Sequence, residues 1–213
     1  MEGIPEGFFI CEEYRLYEES LGNFTQKFYA LPSATTDYDL TGQILWPGAI
    51  ALSNYFINHS ECISGKEVIE LGAGSGFCGL VASRFCSKIV FTDGIDVVVN
   101  LLEKNKQFST CNAEVCKIDW DEENNLACLE EKHLPIKYSI IIGAECIYGI
   151  HSIEPLFRTV EKLLENDGRF ILCYVVRARN VYEELLKISE AKGFARELLQ
   201  NDKNIYIFSF TKN

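Results

Sequence analysis

No apolar run in this 213-residue sequence approaches the ~20 consecutive residues that a membrane-crossing helix needs, so no membrane partner is expected. The opening Met1-Glu2-Gly3-Ile4-Pro5-Glu6 is acidic and has neither the basic nor the apolar stretch of a secretory leader, and none is expected. Metal-ligand spacing is also missing. There is no Cys-x-x-Cys, and His59, His133 and His151 stand apart from one another and from any cysteine pair. Cys111 and Cys116 are the nearest approach, and a pair alone holds no zinc, so no metal is expected. A basic stripe is absent as well: 20 basic residues face 31 acidic ones for a net charge of −11, and Lys104, Lys106, Arg177 and Arg179 are dispersed. That argues against a nucleic-acid partner, because phosphate binding needs clustered cations to displace counterions. The acidic balance would steer a basic macromolecule toward the chain, or serve solubility alone. No repeat, low-complexity segment or linker divides the sequence, so residues 1–213 are expected to form one domain.

What is present begins with 47% hydrophobic residues, enough for a full core. The nine cysteines are an odd count, scattered through core-like segments (Cys78, Cys86, Cys146, Cys173), where a free thiol behaves as a small hydrophobe. A reducing compartment, cytoplasmic or nuclear, is the expectation. Residues 8–45 are β-leaning: Phe8-Phe9-Ile10, Tyr14 to Tyr17 and Phe24 to Tyr29 are separated by Ser20, Gly22, Asn23 and Pro32. They predict an N-terminal β-hairpin extension ahead of a core over 46–213. Trp46-Pro47-Gly48 then opens a helix that runs to about Asn58, proline being tolerated at a first helical position.

From Lys66 the strand–helix alternation is regular, which predicts a parallel sheet covered on both faces. Strands are expected at Glu67 to Leu71, Lys88 to Thr92, Ala113 to Ile118, Tyr138 to Gly143 and Arg169 to Val176. Ile95, Val98, Val99 and Leu102 recur at helical spacing, as do Ile153, Leu156, Phe157 and Val160. Gly168 is expected to close the second of these helices and Gly193 the next, which Asn180 to Glu183 opens as a capping box. Ala195 to Leu199 and Asn204 to Thr211 make a final antiparallel hairpin. The fold class is therefore α/β, a Rossmann-like sheet of seven strands.

Glycine spacing points to the ligand. Glu70-Leu71-Gly72-Ala73-Gly74-Ser75-Gly76 follows an apolar strand, but a dinucleotide fingerprint needs Gly-x-Gly-x-x-Gly, and its third position here is Phe77. Glu70 would repel a pyrophosphate and suits an ammonium or sulfonium group. S-adenosylmethionine fits better than NAD. Asp93, at the end of the second strand, is placed to bind both ribose hydroxyls, or to cap the next helix. Asp119 suits the adenine amine and Trp120 its ring, unless Trp120 only fills the core. Glu145 would lie beside the reactive methyl and orient an amine whose channel Tyr148 walls, or cap a helix. A Cys146–His151 nucleophile lacks any third group to orient it.

These residues resemble methyltransferase family 16, the seven-β-strand protein lysine methyltransferases, over most of the chain. Thr41 to Ala49 is similar to the family's Gly-x-x-x-Trp-Pro segment, Val68 to Gly76 with Gly79-Leu80 to its first motif, and Thr92-Asp93 to its second. Asp119-Trp120 matches the adenine segment, and Glu145-Cys146-Ile147-Tyr148 the (Asp/Glu)-x-x-(Tyr/Phe) signature, with Glu where many members have Asp. The resemblance implies a class I S-adenosylmethionine-dependent methyltransferase that releases S-adenosylhomocysteine. Cofactor contacts are implied from Trp46, Gly72, Ala73, Gly74, Asp93, Trp120 and Ala144, with Glu145 and Tyr148 flanking a target lysine. It also implies a substrate protein, such as a basic translation factor or chaperone, methylated by a monomer. A small-molecule N-methyltransferase and a catalytically silent binding module are the alternatives.

Overall fold

The structure, a computed structural model, describes residues 14–32 and 41–212. The expected strand at Phe8-Phe9-Ile10 lies outside the described residues. Strands β1 (Arg15–Leu21) and β2 (Phe24–Ala30) form the predicted hairpin. Gly22 turns it at φ +60°, a conformation that glycine adopts without steric cost. Leu21, Phe28 and Ala30 carry its apolar face into the main core, where the Phe28 ring meets Phe77 edge-on at 5.0 Å.

After helix α1 (Pro47–Asn58) come β3 (Glu67–Leu71), α2 (Phe77–Ala82), β4 (Lys88–Asp93), α3 (Asp96–Asn105) and β5 (Asn112–Lys117). Then follow α4 (Ala127–Glu131), β6 (Tyr138–Ala144), α5 (Ile150–Leu163), β7 (Leu164–Val175), α6 (Arg179–Ala191), β8 (Phe194–Asp202) and β9 (Ile205–Lys212). Seven strands pair in the order β5-β4-β3-β6-β7-β9-β8. All neighbours are parallel except where β9 inserts between β7 and β8.

Period-two alternation divides the core into two layers. Val68, Ile140, Ile142, Ile171 and Cys173 face the side covered by α1, α2 and α3. Ile69, Leu71, Ile141, Phe170 and Leu172 face α5 and its neighbours, where Phe157 packs edge-on against Phe194 and Phe210 at 5.2 and 5.1 Å. A polar side chain ties the hairpin to α3 and the glycine loop. Asn105, at the end of α3, accepts from the Tyr29 N–H at 2.7 Å and donates to the carbonyls of Tyr29 and Ser75, both at 2.8 Å.

Two helix boundaries differ from the expectation, beyond shifts of one to three residues at strand ends. Helix α5 ends at Leu163, and Gly168 lies inside β7. Pairing passes from Tyr138↔Leu164 to Ile140↔Arg169, so the polar run Glu165 to Gly168 is looped out of the ladder instead of extending the helix. Asn180 does not cap α6. The helix starts one residue earlier, its N-cap is Ala178, and Glu183 accepts from Arg179 at 2.8 Å. Gly193 does end that helix, at φ +82°.

Candidate active site

Strand order reverses at β3, which has β4 on one side and β6 on the other, and ligands bind beyond the carboxyl ends of strands at such a point. There the chain forms an open cleft of about 840 Å³. Its floor is the glycine loop. Gly72, Gly74 and Gly76 have φ of +63°, +57° and +77°. A Cβ on Gly72 would stand 2.6 Å from the Cβ of Cys146, and one on Gly74 would stand 2.9 Å from the Gly42 carbonyl oxygen. The Ala73 N–H donates to Thr92 O at 2.9 Å, which pins the loop to β4.

Asp93 does not cap the next helix, whose N-cap is Ile95; it sits at the end of β4 on the edge of the cleft. Its carboxylate accepts from the Gly74 N–H at 3.1 Å and the Ile95 N–H at 3.2 Å, and it lines the cleft. Burial pushes its pKa up, while those N–H donors pull it back. Asp119 and Trp120 form the next part of the wall together with Ile118. Asp119 accepts from the Asp121 N–H at 3.0 Å. The Trp120 indole N–H is buried and has no hydrogen-bond partner among the described residues, a costly arrangement that a ligand acceptor would relieve. Gly72, Asp93, Asp119 and Trp120 are thus brought to one cleft, whereas Ala73, Gly74 and Ala144 do not line it.

Glu70 is not where the sequence reading put it. It follows Val68 by two residues, so it points to the same face, toward α2, and does not line the cleft. The side chain is 1% exposed, and its carboxyl accepts from the Gly79 N–H at 3.0 Å. Desolvation pushes its pKa up to about 8, so at neutral pH it is a neutral acid under the glycine loop, not an anion facing a sulfonium. A linkage prediction follows. The folded state keeps a proton that the unfolded chain loses near pH 4.5, so this stabilising contribution is full below that pH and fades as pH rises to about 8. Urea unfolding of E70Q against the native chain should show the variant gaining on the order of 3 kcal/mol in relative stability between about pH 5.5 and pH 8.5. A difference that does not change with pH would mean that Glu70 is not buried as a neutral acid.

A second, smaller concavity of about 430 Å³ adjoins the cleft, and Tyr148 borders both. Glu145 lies at its base, 6% exposed, with Tyr174, Arg177 and Val181 around it. Glu145 has φ +52°, unusual for a residue with a side chain, and its N–H is held by Cys173 O at 2.9 Å. That turn aims the carboxylate at α1: one oxygen accepts from the Gly48 N–H and the other from Arg177 Nη2 at 2.5 Å. Glu145 therefore anchors an element distant in sequence and does not cap α5, whose N-cap is Gly149. Trp46 lines neither concavity and reaches the smaller one only through Arg177, which borders it. Its indole N–H donates to Thr41 O at 2.8 Å, and the Arg177 guanidinium carbon lies 4.6 Å from its ring centre.

Cys146 is 1% exposed and burial pushes its thiol pKa up, which removes it as a nucleophile. Gly42, Val98, Pro155 and Arg177 were missed in the sequence, although each contributes to the two concavities. Arg177 alone left a signal, as a cation just after a strand of the parallel sheet.

The cleft fits an adenosine-bearing ligand: a floor on which side chains cannot stand, a carboxylate at its edge and a buried indole donor without a partner. Comparison with known proteins agrees. The chain matches the lysine methyltransferase family over residues 33–191. It is 26% identical over 166 residues to mouse (Mus musculus) EEF1A lysine methyltransferase 3, an alignment covering 76% of this chain and 68% of that protein. It is 29% identical over 135 residues to an Arabidopsis thaliana calmodulin-lysine N-methyltransferase, covering 60% of this chain and 42% of that one. Its fold is similar to the T. thermophilus 16S rRNA N2 G1207 methyltransferase, solved with AdoMet and guanosine, at a TM-score of 0.67 and 16% identity over 94% of this chain and 51% of that one. S-adenosylmethionine is the cofactor, on which the family and the AdoMet-bound neighbour of like fold agree. A glycine floor, a strand-end carboxylate and a match over three-quarters of its length agree: the chain belongs to the lysine methyltransferase family, on a Rossmann-like class I sheet.

Proposed function

We propose that this lysine methyltransferase acts on a basic substrate protein of the translation-factor kind, with Glu145 and Tyr148 flanking the target amine. The observation that carries the reading is the meeting of the two concavities at Tyr148, with a buried carboxylate at the base of the smaller one. An aliphatic amine on a long stem can reach down such a channel, whereas its protein remains outside. The net charge of −11 favours a basic partner, and a relative named for EEF1A points the same way. A monomer in a reducing cytoplasmic or nuclear setting belongs to the same proposal.

S-adenosylmethionine supplies an electrophilic methyl group on a sulfonium. Glu145 and Tyr148 would orient the neutral amine so that its lone pair faces that methyl group, and the proton lost by the methylated amine would pass to solvent. Cleft residues Asp93, Asp119 and Trp120 would hold the adenosine, and the glycine loop would admit the rest of the ligand. The chain's own contribution is alignment of nitrogen, methyl carbon and sulfur, with water excluded by Trp46 and Tyr148. No step needs a metal or a covalent enzyme intermediate.

Incubation with methyl-tritiated S-adenosylmethionine and a hypomethylated cell extract, with purified elongation factor 1A as a second arm, tests the proposal. One or a few labelled protein bands that yield methyllysine on hydrolysis are expected. Label confined to metabolites or RNA would overturn it.

A further inference from the structure

Arg177, just beyond the end of β7, is a cation that the reaction as described leaves without a function. It bonds the Glu145 carboxylate at 2.5 Å and lies 4.6 Å from the Trp46 ring centre. The partners are unequal: the Glu145 side chain is 5% exposed and that of Arg177 is 50% exposed. The carboxylate is committed by the fold, since its other oxygen holds the Gly48 N–H.

Among the described residues, few other charges reach this channel. Helix α1 contains no ionisable side chain except Tyr55, which packs in the core, and α6 contributes Ala178 and Val181 there. Arg179 and Glu183 of α6 pair with each other at the surface. Tyr148 and Tyr174 border the channel as phenols, and burial pushes the Tyr174 pKa up, so it stays neutral. His151 of α5 faces the neighbouring cleft. Among the described residues, the charged side chains that line the channel are therefore Glu145 and Arg177.

That balance matters because a lysine amine has an unperturbed pKa of about 10.4 and attacks only when neutral. A lone carboxylate beside it would favour the ammonium form and hold the lone pair out of the reaction. We infer that Arg177 is a positioning residue for methyl transfer: it cancels the charge of Glu145, so the acceptor lysine sits in the channel as a neutral amine. The neutral amine still donates an N–H to Glu145, which leaves its lone pair directed at the methyl carbon. The inference rests on the lysine reading of the channel.

R177Q tests it, with R177K as the charge-conserving companion. Initial rates of methyl transfer from tritiated S-adenosylmethionine into lysines of a hypomethylated cell extract are measured at limiting and saturating extract, from about pH 6.5 to about pH 9.5. Near pH 7 the saturating rate of R177Q is expected to fall at least about tenfold, one pKa unit of the acceptor, while half-saturation stays the same or improves. The deficit closes as pH rises, and R177K keeps the native profile. Calorimetric affinity for S-adenosylmethionine reports whether R177Q is folded; if it is not, the R177K profile decides, and a displaced R177K profile with native affinity overturns the inference. A loss parallel to the native profile at every pH makes Arg177 merely structural, and a faster rate at neutral pH makes it an obstruction. Either result overturns the inference. Absent lysine transfer by the native chain overturns the lysine reading itself, which is a different failure.

Discussion

Gly72→Val should abolish S-adenosylmethionine binding, with affinity falling more than about 100-fold by calorimetry. Two costs combine at this position. Its φ of +63° is left-handed, where a side chain costs on the order of 1–2 kcal/mol. The added Cβ would also stand 2.6 Å from the Cβ of Cys146, an atom fixed by the end of β6 and unable to swing away. The loop must then lift into the cleft, the space that the adenosine needs. Gly22→Ala separates the two costs: Gly22 has φ +60° but nothing within 4 Å of its Cβ position. It should lower stability by a comparable left-handed penalty and leave affinity within about twofold. If Gly72→Val binds normally, the glycine loop is not the floor of the cofactor site.

Glu145→Ala should reduce methyl transfer more than about 100-fold while cofactor affinity changes only a few-fold. The carboxylate belongs to the smaller concavity, so its loss removes the partner of the acceptor amine and spares the adenosine cleft. It also leaves the Gly48 N–H without its acceptor at the start of α1 and Arg177 without its anion. Urea unfolding should register a loss of about 2 kcal/mol, chiefly from the buried N–H, because Arg177 is half exposed and can turn to water. Native-rate transfer by this variant would remove Glu145 from the reaction.

Much of the fold was legible because it is written in periodicity. The strands from Glu67 to Leu71 and from Tyr138 to Ala144 carry the apolar runs Val68-Ile69 and Ile140-Ile141-Ile142, as strands covered on both faces do. The terminal hairpin was legible from its polar turn between two β-rich runs. The boundary errors were local. Leu163 and Leu164 belong to different elements, and the polar run after them reads as a helix end when it is a bulge. The Asn180 capping pattern has the right spacing but begins one residue inside the helix.

The site divides in the same way. Gly72, Gly74, Asp93, Asp119 and Trp120 lie at strand ends or in the loop just after them, and a parallel sheet gathers all such ends at one edge. Their cooperation could be inferred from order along the chain alone. Glu70 was misjudged because a carboxylate beside a glycine loop invites pairing with a cationic ligand. Counting two residues back to Val68 would have turned it toward α2, but only the packed helix makes that face dry enough to keep it protonated.

The sequence by itself determined the sheet, the position of the glycine loop and the class of ligand, because each depends on neighbours within a few residues. Only the tertiary structure decided which charges meet. Glu145 reaches Gly48 across 97 positions and Arg177 across 32, and Asn105 joins a hairpin 76 residues away. Such contacts depend on how strands order themselves and how helices cover them. The charge balance of the smaller concavity is therefore a property of packing, carried by residues that no local pattern connects.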